Sequence, residues 1–168
     1  CTGMGWTRPQ TLADMRAMKA EGGWGVVCTE YCSIHPASDD FPHVSAALWD
    51  ADDVRQHALM TEKVHAHGAL AGVELWFGGV RNVNAYSRLA PLDLASYPNT
   101  EGHPWQSRAM DKADIADLRR WHRKAALRAR EAGFDIVYVY ATHTYLLDRF
   151  LDPRINDRGD EYGGSLEN

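Results

Sequence analysis

An apolar run, Phe134-Asp135-Ile136-Val137-Tyr138-Val139-Tyr140-Ala141-Thr142-His143, delivers a phenol and an imidazole, Tyr140 and His143, where a buried strand would end. Titratable side chains just past an apolar strand are where parallel-barrel enzymes keep their chemistry, because the carboxyl ends of successive strands converge on one mouth. Two other runs end alike. Trp24-Gly25-Val26-Val27-Cys28-Thr29-Glu30 leads into Tyr31, and Ala69-Leu70-Ala71-Gly72-Val73-Glu74-Leu75 leads into Trp76. In a barrel, Glu30, Tyr31, Glu74, Trp76, Tyr140 and His143 become neighbours, and Cys1 belongs to a loop after a preceding strand. The set combines a thiol, carboxylates, phenols, an indole and an imidazole.

Each residue also has a structural reading. Tyr140 and Trp76 fit core aromatics with satisfied polar atoms, and Glu30 fits a carboxylate paired with a buried arginine or capping backbone amides. Convergence at one rim weighs against those readings. Cys28 and Cys32 read as small buried hydrophobes, since their spacing is not the two-residue gap of a redox motif and no second ligand pair follows. His57, His65 and His67 share one helix, lack a partner that would complete a metal site, and read as solvated. Arg154, Asp157, Arg158, Asp160 and Glu161 read as a local ion network that fixes a loop.

The elements that position these groups follow from periodicity. Leu12, Met15 and Met18 recur at helical spacing between about Gln10 and Ala20, and Gly22-Gly23 stops that helix before the first strand. Val54, Leu59, Met60 and Val64 mark a second helix from Asp52 to His67, ended by Gly68 before the strand at 69–75. A third starts at Asp111-Lys112-Ala113-Asp114, runs to about Ala132 and is capped by Gly133 before a strand from Asp135 to Tyr140. Between Phe77 and Met110 lies a long segment without sustained period, of the kind that is functional or mobile. Three helix-to-strand units predict a parallel sheet flanked by helices, either doubly wound or a (β/α)8 TIM barrel. The glycine-rich fingerprint of a dinucleotide fold is absent around Cys1-Thr2-Gly3-Met4-Gly5-Trp6, which favours the barrel.

Composition sets the limits. The 168 residues are 45% hydrophobic and 24% charged, ordinary values for a globular core. No run approaches the roughly 20 apolar residues of a bilayer span, and no secretory leader opens the chain, so the expectation is a cytoplasmic protein with no membrane partner. A formal net charge of -5 with interspersed signs offers no basic stripe to a nucleic acid, and the three cysteines do not form a disulfide framework. Residues 1–168 are expected to be the N-terminal part of a barrel domain, incomplete at both ends.

Phe150-Leu151-Asp152-Pro153, Asn156-Asp157-Arg158 and Asp160-Glu161-Tyr162-Gly163-Gly164-Ser165-Leu166-Glu167-Asn168 resemble the signature of the Old Yellow Enzyme family of FMN-dependent barrels. Lys19-Ala20-Glu21-Gly22-Gly23-Trp24, Thr29-Glu30-Tyr31-Cys32-Ser33-Ile34, Gly72-Val73-Glu74-Leu75-Trp76 and 132–140 resemble its amine dehydrogenase branch, which acts on trimethylamine, dimethylamine or histamine. The resemblance implies FMN attached through Cys1, with Glu74 accepting a hydrogen bond from the flavin pyrimidine. It implies that Tyr140 and His143 are catalytic and that Tyr31 is a substrate-binding wall of an aromatic bowl. Oxidative N-demethylation of trimethylamine or a related small amine to a secondary amine and formaldehyde follows as the expected activity. A 4Fe-4S cluster from a later part of the chain, an electron-transferring flavoprotein as acceptor and a homodimer are implied with it. Two alternatives remain: an NAD(P)H-dependent ene-reductase of the same family, against which Cys1, Tyr140, Phe77 and Val80 speak, and a non-catalytic barrel fragment.

Overall fold

The computed structural model describes residues 8–43, 45–99 and 102–165. Helix α1, Pro9–Glu21, starts with proline at its first turn, where the missing N–H costs nothing, and ends at Gly22. Strand β1, Val26–Ser33, follows, then the two-residue β2, Ala46–Ala47. Helix α2, Ala51–His65, opens with a reciprocal capping box between Asp50 and Asp53, and helix α3, Lys112–Glu131, repeats the device with Asp111 and Asp114. Each precedes a strand, β3 at Leu70–Trp76 and β6 at Ile136–Val139. Gly133 turns the chain between α3 and β6 at φ +89°, a conformation that glycine adopts without strain. A short helix, α4 at Leu146–Leu151, ends the set.

The sheet is parallel throughout, in the order β2-β1-β3-β6. The three expected helix-to-strand units are present, with ends displaced by one to three residues from the sequence reading. One face of the sheet makes the core: Val27, Cys32, Ala71, Val73 and Leu75 are buried with Ala13 and Ala20 of α1, Met60 and Val64 of α2, and Ile115, Leu118 and Ala125 of α3. Thr61 ties two helices across this layer by donating to the Ala132 carbonyl at 2.6 Å. No helix among the described residues is long and apolar enough to cross a membrane.

The segment between β3 and α3 is less irregular than expected. It contains a second, two-stranded parallel sheet, β4 at Leu92–Asp93 and β5 at Arg108–Ala109, and it is held down by a buried carboxylate. Asp93, 0% exposed, accepts from the backbone N–H of Val80 and Leu94 and from Arg149 Nε at 2.7 Å. Arg149 is itself buried and lies over the Tyr97 ring at 4.6 Å. Gly79 meets this carboxylate so closely that a Cβ there would lie 2.6 Å from Asp93 Oδ2.

Two sequence expectations are corrected. His57 is not solvated: it is 5% exposed, its Nε2 lies 3.0 Å from the Ala47 carbonyl, and its ring packs against Phe134. The helical face bearing Val54 and Met60 sweeps it inward, beyond what histidine spacing reveals. Cys32 is buried beside it as expected, but Cys28 is half-exposed on the other face of the sheet. The expected ion network is local pairs, Arg154 with Asp152 and Arg158 with Asp160, plus a longer reach from Lys112 to Glu161.

Truncation of Asp93 to alanine strands the Arg149 charge, so Asp93→Ala is expected to lose about 3 to 5 kcal/mol of unfolding free energy in denaturant titration. His57 gives a pH signature. Burial lowers its pKa to about 4 from an ordinary 6.5. The unfolded state therefore takes up the proton first, and stability falls as pH drops from about 6.5 to about 4. Asp53, raised to about 6 by burial, acts with the opposite sign and gains stability as pH falls below 6. Subtracting the His57→Gln profile from the parent profile isolates the histidine, with an expected difference on the order of 2 to 3 kcal/mol between pH 7 and 4.

Candidate active site

The second face of the sheet carries the polar groups. In the parallel register Tyr31 pairs with Glu74, and Glu74 with Tyr138, so their side chains share one face. Tyr31 reaches that face because β1 is bulged: Cys28 pairs with Gly72, yet Tyr31 pairs with Glu74, which places three residues of one strand against two of the other. Gly72 leaves room for the Cys28 side chain there, since a Cβ would sit 2.5 Å from the sulfur. The bulge is stitched by Thr29, whose Oγ1 accepts from the Glu74 N–H at 3.3 Å.

Glu74 accepts a hydrogen bond of 2.6 Å from the Tyr138 hydroxyl. Burial, then this carboxylate, push the Tyr138 pKa upward, so the phenol keeps its proton and remains the donor. The buried Arg16 of α1 lies in the field of Glu30, Glu74, Cys28 and Tyr138, and burial lowers its pKa against those attractions. Glu30, 9% exposed, thus lies in the field of a buried arginine. Arg16 Nε and the indole Nε1 of Trp76, a residue 1% exposed, are buried without a hydrogen-bond partner among the described residues.

At the carboxyl end of the strands a cluster of rings closes the rim. Tyr31 and Trp76 lie 4.8 Å apart, Trp76 meets Tyr145 edge-on at 5.4 Å, and Tyr145 lies 5.9 Å from Tyr140 and 6.1 Å from His143. The Tyr140 hydroxyl and His143 Nδ1 are 3.2 Å apart. His143 and Thr144 both adopt left-handed backbone, φ +55° and +58°, which reverses the chain right after the strand. Burial raises the Tyr140 pKa, and the Glu74 charge adds to the rise. Arg81 caps the group, with its guanidinium 5.1 Å from the Tyr145 centroid and a hydrogen bond to the His143 carbonyl.

Tyr31, Glu74, Tyr140 and His143 thus come together at one rim, with Trp76 between them. Cys1 lies outside the described residues. Sequence reading missed Tyr145, Tyr138 and Asp40, whose carboxylate accepts a hydrogen bond from the Tyr31 hydroxyl. Tyr138 was legible by period two along the strand from Tyr140, and Tyr145 by its place two residues beyond His143; Asp40 is brought in only by the fold. No group of three His, Cys, Asp or Glu suited to a metal ion occurs among the described residues.

Residues 3–168 match the sequence profile of the NADH:flavin oxidoreductase / NADH oxidase family. Dimethylamine dehydrogenase of Hyphomicrobium sp. (strain x) is 41% identical over the whole of this chain, which covers 24% of that protein. Histamine dehydrogenase from Rhizobium sp. 4-9 superposes with a TM-score of 0.95 at 41% identity, covering 100% of this chain and 26% of the other. The 6-hydroxypseudooxynicotine amine oxidase of Pseudomonas geniculata N1 superposes equally well, TM-score 0.95 at 44% identity, covering 100% and 25% respectively. The chain therefore spans about a quarter of the length of these relatives. Its parallel sheet and strand-helix units are those of a TIM barrel, and the chain belongs to the NADH:flavin oxidoreductase / NADH oxidase family, the Old Yellow Enzyme family that its C-terminal motif resembles.

Proposed function

We propose that this chain forms part of an FMN-dependent amine dehydrogenase that oxidatively demethylates a small amine, with a tertiary methylamine such as trimethylamine favoured. The observation that carries the reading is the rim itself: an aromatic wall of Tyr31, Trp76 and Tyr145 stands beside a Tyr140–His143 hydrogen-bonded pair, above the Glu74–Tyr138 pair on the same face. Aromatic faces attract an alkylammonium, at about 0.5 to 2 kcal/mol per good contact.

The residues present fit a flavin. An isoalloxazine needs an acceptor for its pyrimidine N–H, and Glu74 offers a carboxylate whose second oxygen is left over after Tyr138 has donated to the first. The unpartnered Trp76 Nε1 and Arg16 Nε are donors of the kind that a carbonyl-rich planar ligand satisfies. When bound, FMN supplies the two-electron acceptor for oxidation of the amine. Cys1 is the residue proposed to attach it.

The chain's own groups do the rest. Tyr31 and Tyr145, backed by the buried Trp76, hold the substrate's alkyl groups and exclude water from one side. An ammonium has to lose its proton before oxidation, and His143, with Tyr140 fixing its Nδ1, accepts that proton at Nε2. Water then hydrolyses the oxidised amine to a secondary amine and formaldehyde. The proposal extends to a 4Fe-4S cluster held outside these residues, an electron-transferring flavoprotein that carries electrons away, a homodimeric assembly and a cytoplasmic setting.

Replacing His143 with glutamine is expected to alter chiefly the pH profile of amine oxidation; an unchanged profile removes His143 from proton transfer. Covalent attachment is checked by acid precipitation of the flavin-loaded protein. The yellow chromophore should come down with the polypeptide and stay in the supernatant for Cys1→Ala.

A further inference from the structure

The Tyr31 hydroxyl is engaged away from the rim. It donates to Asp40 Oδ2 at 2.6 Å, and the Asp40 side chain is 9% exposed. Burial, and then the bond to Asp40, raise the Tyr31 pKa, so the proton stays on the phenol and the carboxylate is the acceptor. Burial raises the Asp40 pKa, while Tyr31 and His43, whose Nδ1 is 3.8 Å from Oδ1, pull it back. The adjacent Asp39 is committed elsewhere: its carboxylate accepts from the backbone N–H of Phe41, Tyr86 and Ser87. Meanwhile the Tyr31 ring faces Trp76 and Tyr145, with centroids at 4.8 and 6.4 Å.

A phenol that donates a short hydrogen bond to a carboxylate gains electron density on its oxygen and through its ring. The half-enclosed carboxylate adds a negative potential behind that ring, screened little by solvent. Both effects strengthen the attraction of the ring face for a cation and leave its contact with a neutral group of the same shape nearly unchanged. The arrangement also explains why a buried acid lies beside an aromatic wall that packing alone would make apolar: its partner is the Tyr31 hydroxyl of that wall.

We propose that Asp40 is a positioning residue that sets specificity, acting through the Tyr31 hydroxyl so that the wall selects an ammonium over a neutral molecule of equal size. The inference rests on the amine reading above, and it adds the residue that makes charge, rather than shape, the criterion.

The test uses the full-length, flavin-loaded protein and two competitive inhibitors of similar size, tetramethylammonium and neutral tert-butanol. Asp40→Asn should raise the inhibition constant of tetramethylammonium by about fivefold and leave that of tert-butanol unchanged. Asp40→Glu should recover part of the loss. Tyr31→Phe, which keeps the ring and removes the donor, should also weaken tetramethylammonium selectively, and Asp40→Asn added to it should bring little more. Equal weakening of both inhibitors, an unchanged constant for tetramethylammonium, or an undiminished Asp40→Asn effect in the Tyr31→Phe background overturns the assignment of Asp40, even if amines are oxidised. A flavin-loaded protein that neither binds tetramethylammonium nor oxidises any amine overturns the amine reading, and this inference with it.

Discussion

Parallel pairing of β1, β3 and β6 is the constraint from which everything at the rim follows. Because side chains alternate across a strand, the register decides at once which residues enter the helix-packed core and which face the opposite side. Val73 and Leu75 go into the core and Glu74 goes the other way, with Tyr138 beside it. A slip of one residue would bury the Glu74 carboxylate among the helices and expose the aliphatic set, at a cost large on the scale of total stability. The site is thus a by-product of core formation: apolar residues choose the register, and the polar ones between them are delivered together.

Register sets the row, and buried carboxylates set the loops above it. Asp93 gathers two backbone amides and Arg149 into one cluster and so joins the segment after β3 to the helix after β6. Asp39 does the same nearer β1, where it accepts three backbone N–H groups and its own N–H reaches the Asn84 side chain. A buried ion that satisfies several donors is costly to form and costlier to break, which is how long loops without repetitive hydrogen bonding acquire one geometry. The aromatic cluster draws Tyr31 and Trp76 from the ends of β1 and β3 and Tyr140, His143 and Tyr145 from the segment after β6, and it depends on each of them being fixed.

Much of this was readable from the chain. The helices announced themselves by apolar spacing and by the acidic start at Asp111, and the strands by short apolar runs following Gly22-Gly23, Gly68 and Gly133. Placing Glu74, Tyr140 and His143 at strand ends required no more than those runs. The segment at 77–110 did not yield, because β4 and β5 have two residues each and owe their pairing to Asp93 rather than to any local pattern. His57 was misplaced for a related reason: its imidazole is accommodated by the Ala47 carbonyl and the Phe134 ring, neither adjacent in sequence.

What the amino-acid order determined by itself is the three helix-to-strand units, their parallel arrangement and the residues at their ends, since these rest on periodicity and on turn residues that act locally. Tertiary structure alone decided which of those residues meet. The bulge in β1 turns Tyr31 onto the face of Glu74, against the simple alternation that would have set Glu30 there. Left-handed backbone at His143 and Thr144 brings Tyr145 back against Trp76, and Asp40 reaches the Tyr31 hydroxyl across a loop. Such contacts form between segments whose separation is closed only when the core is packed, so no window of neighbouring residues contains them.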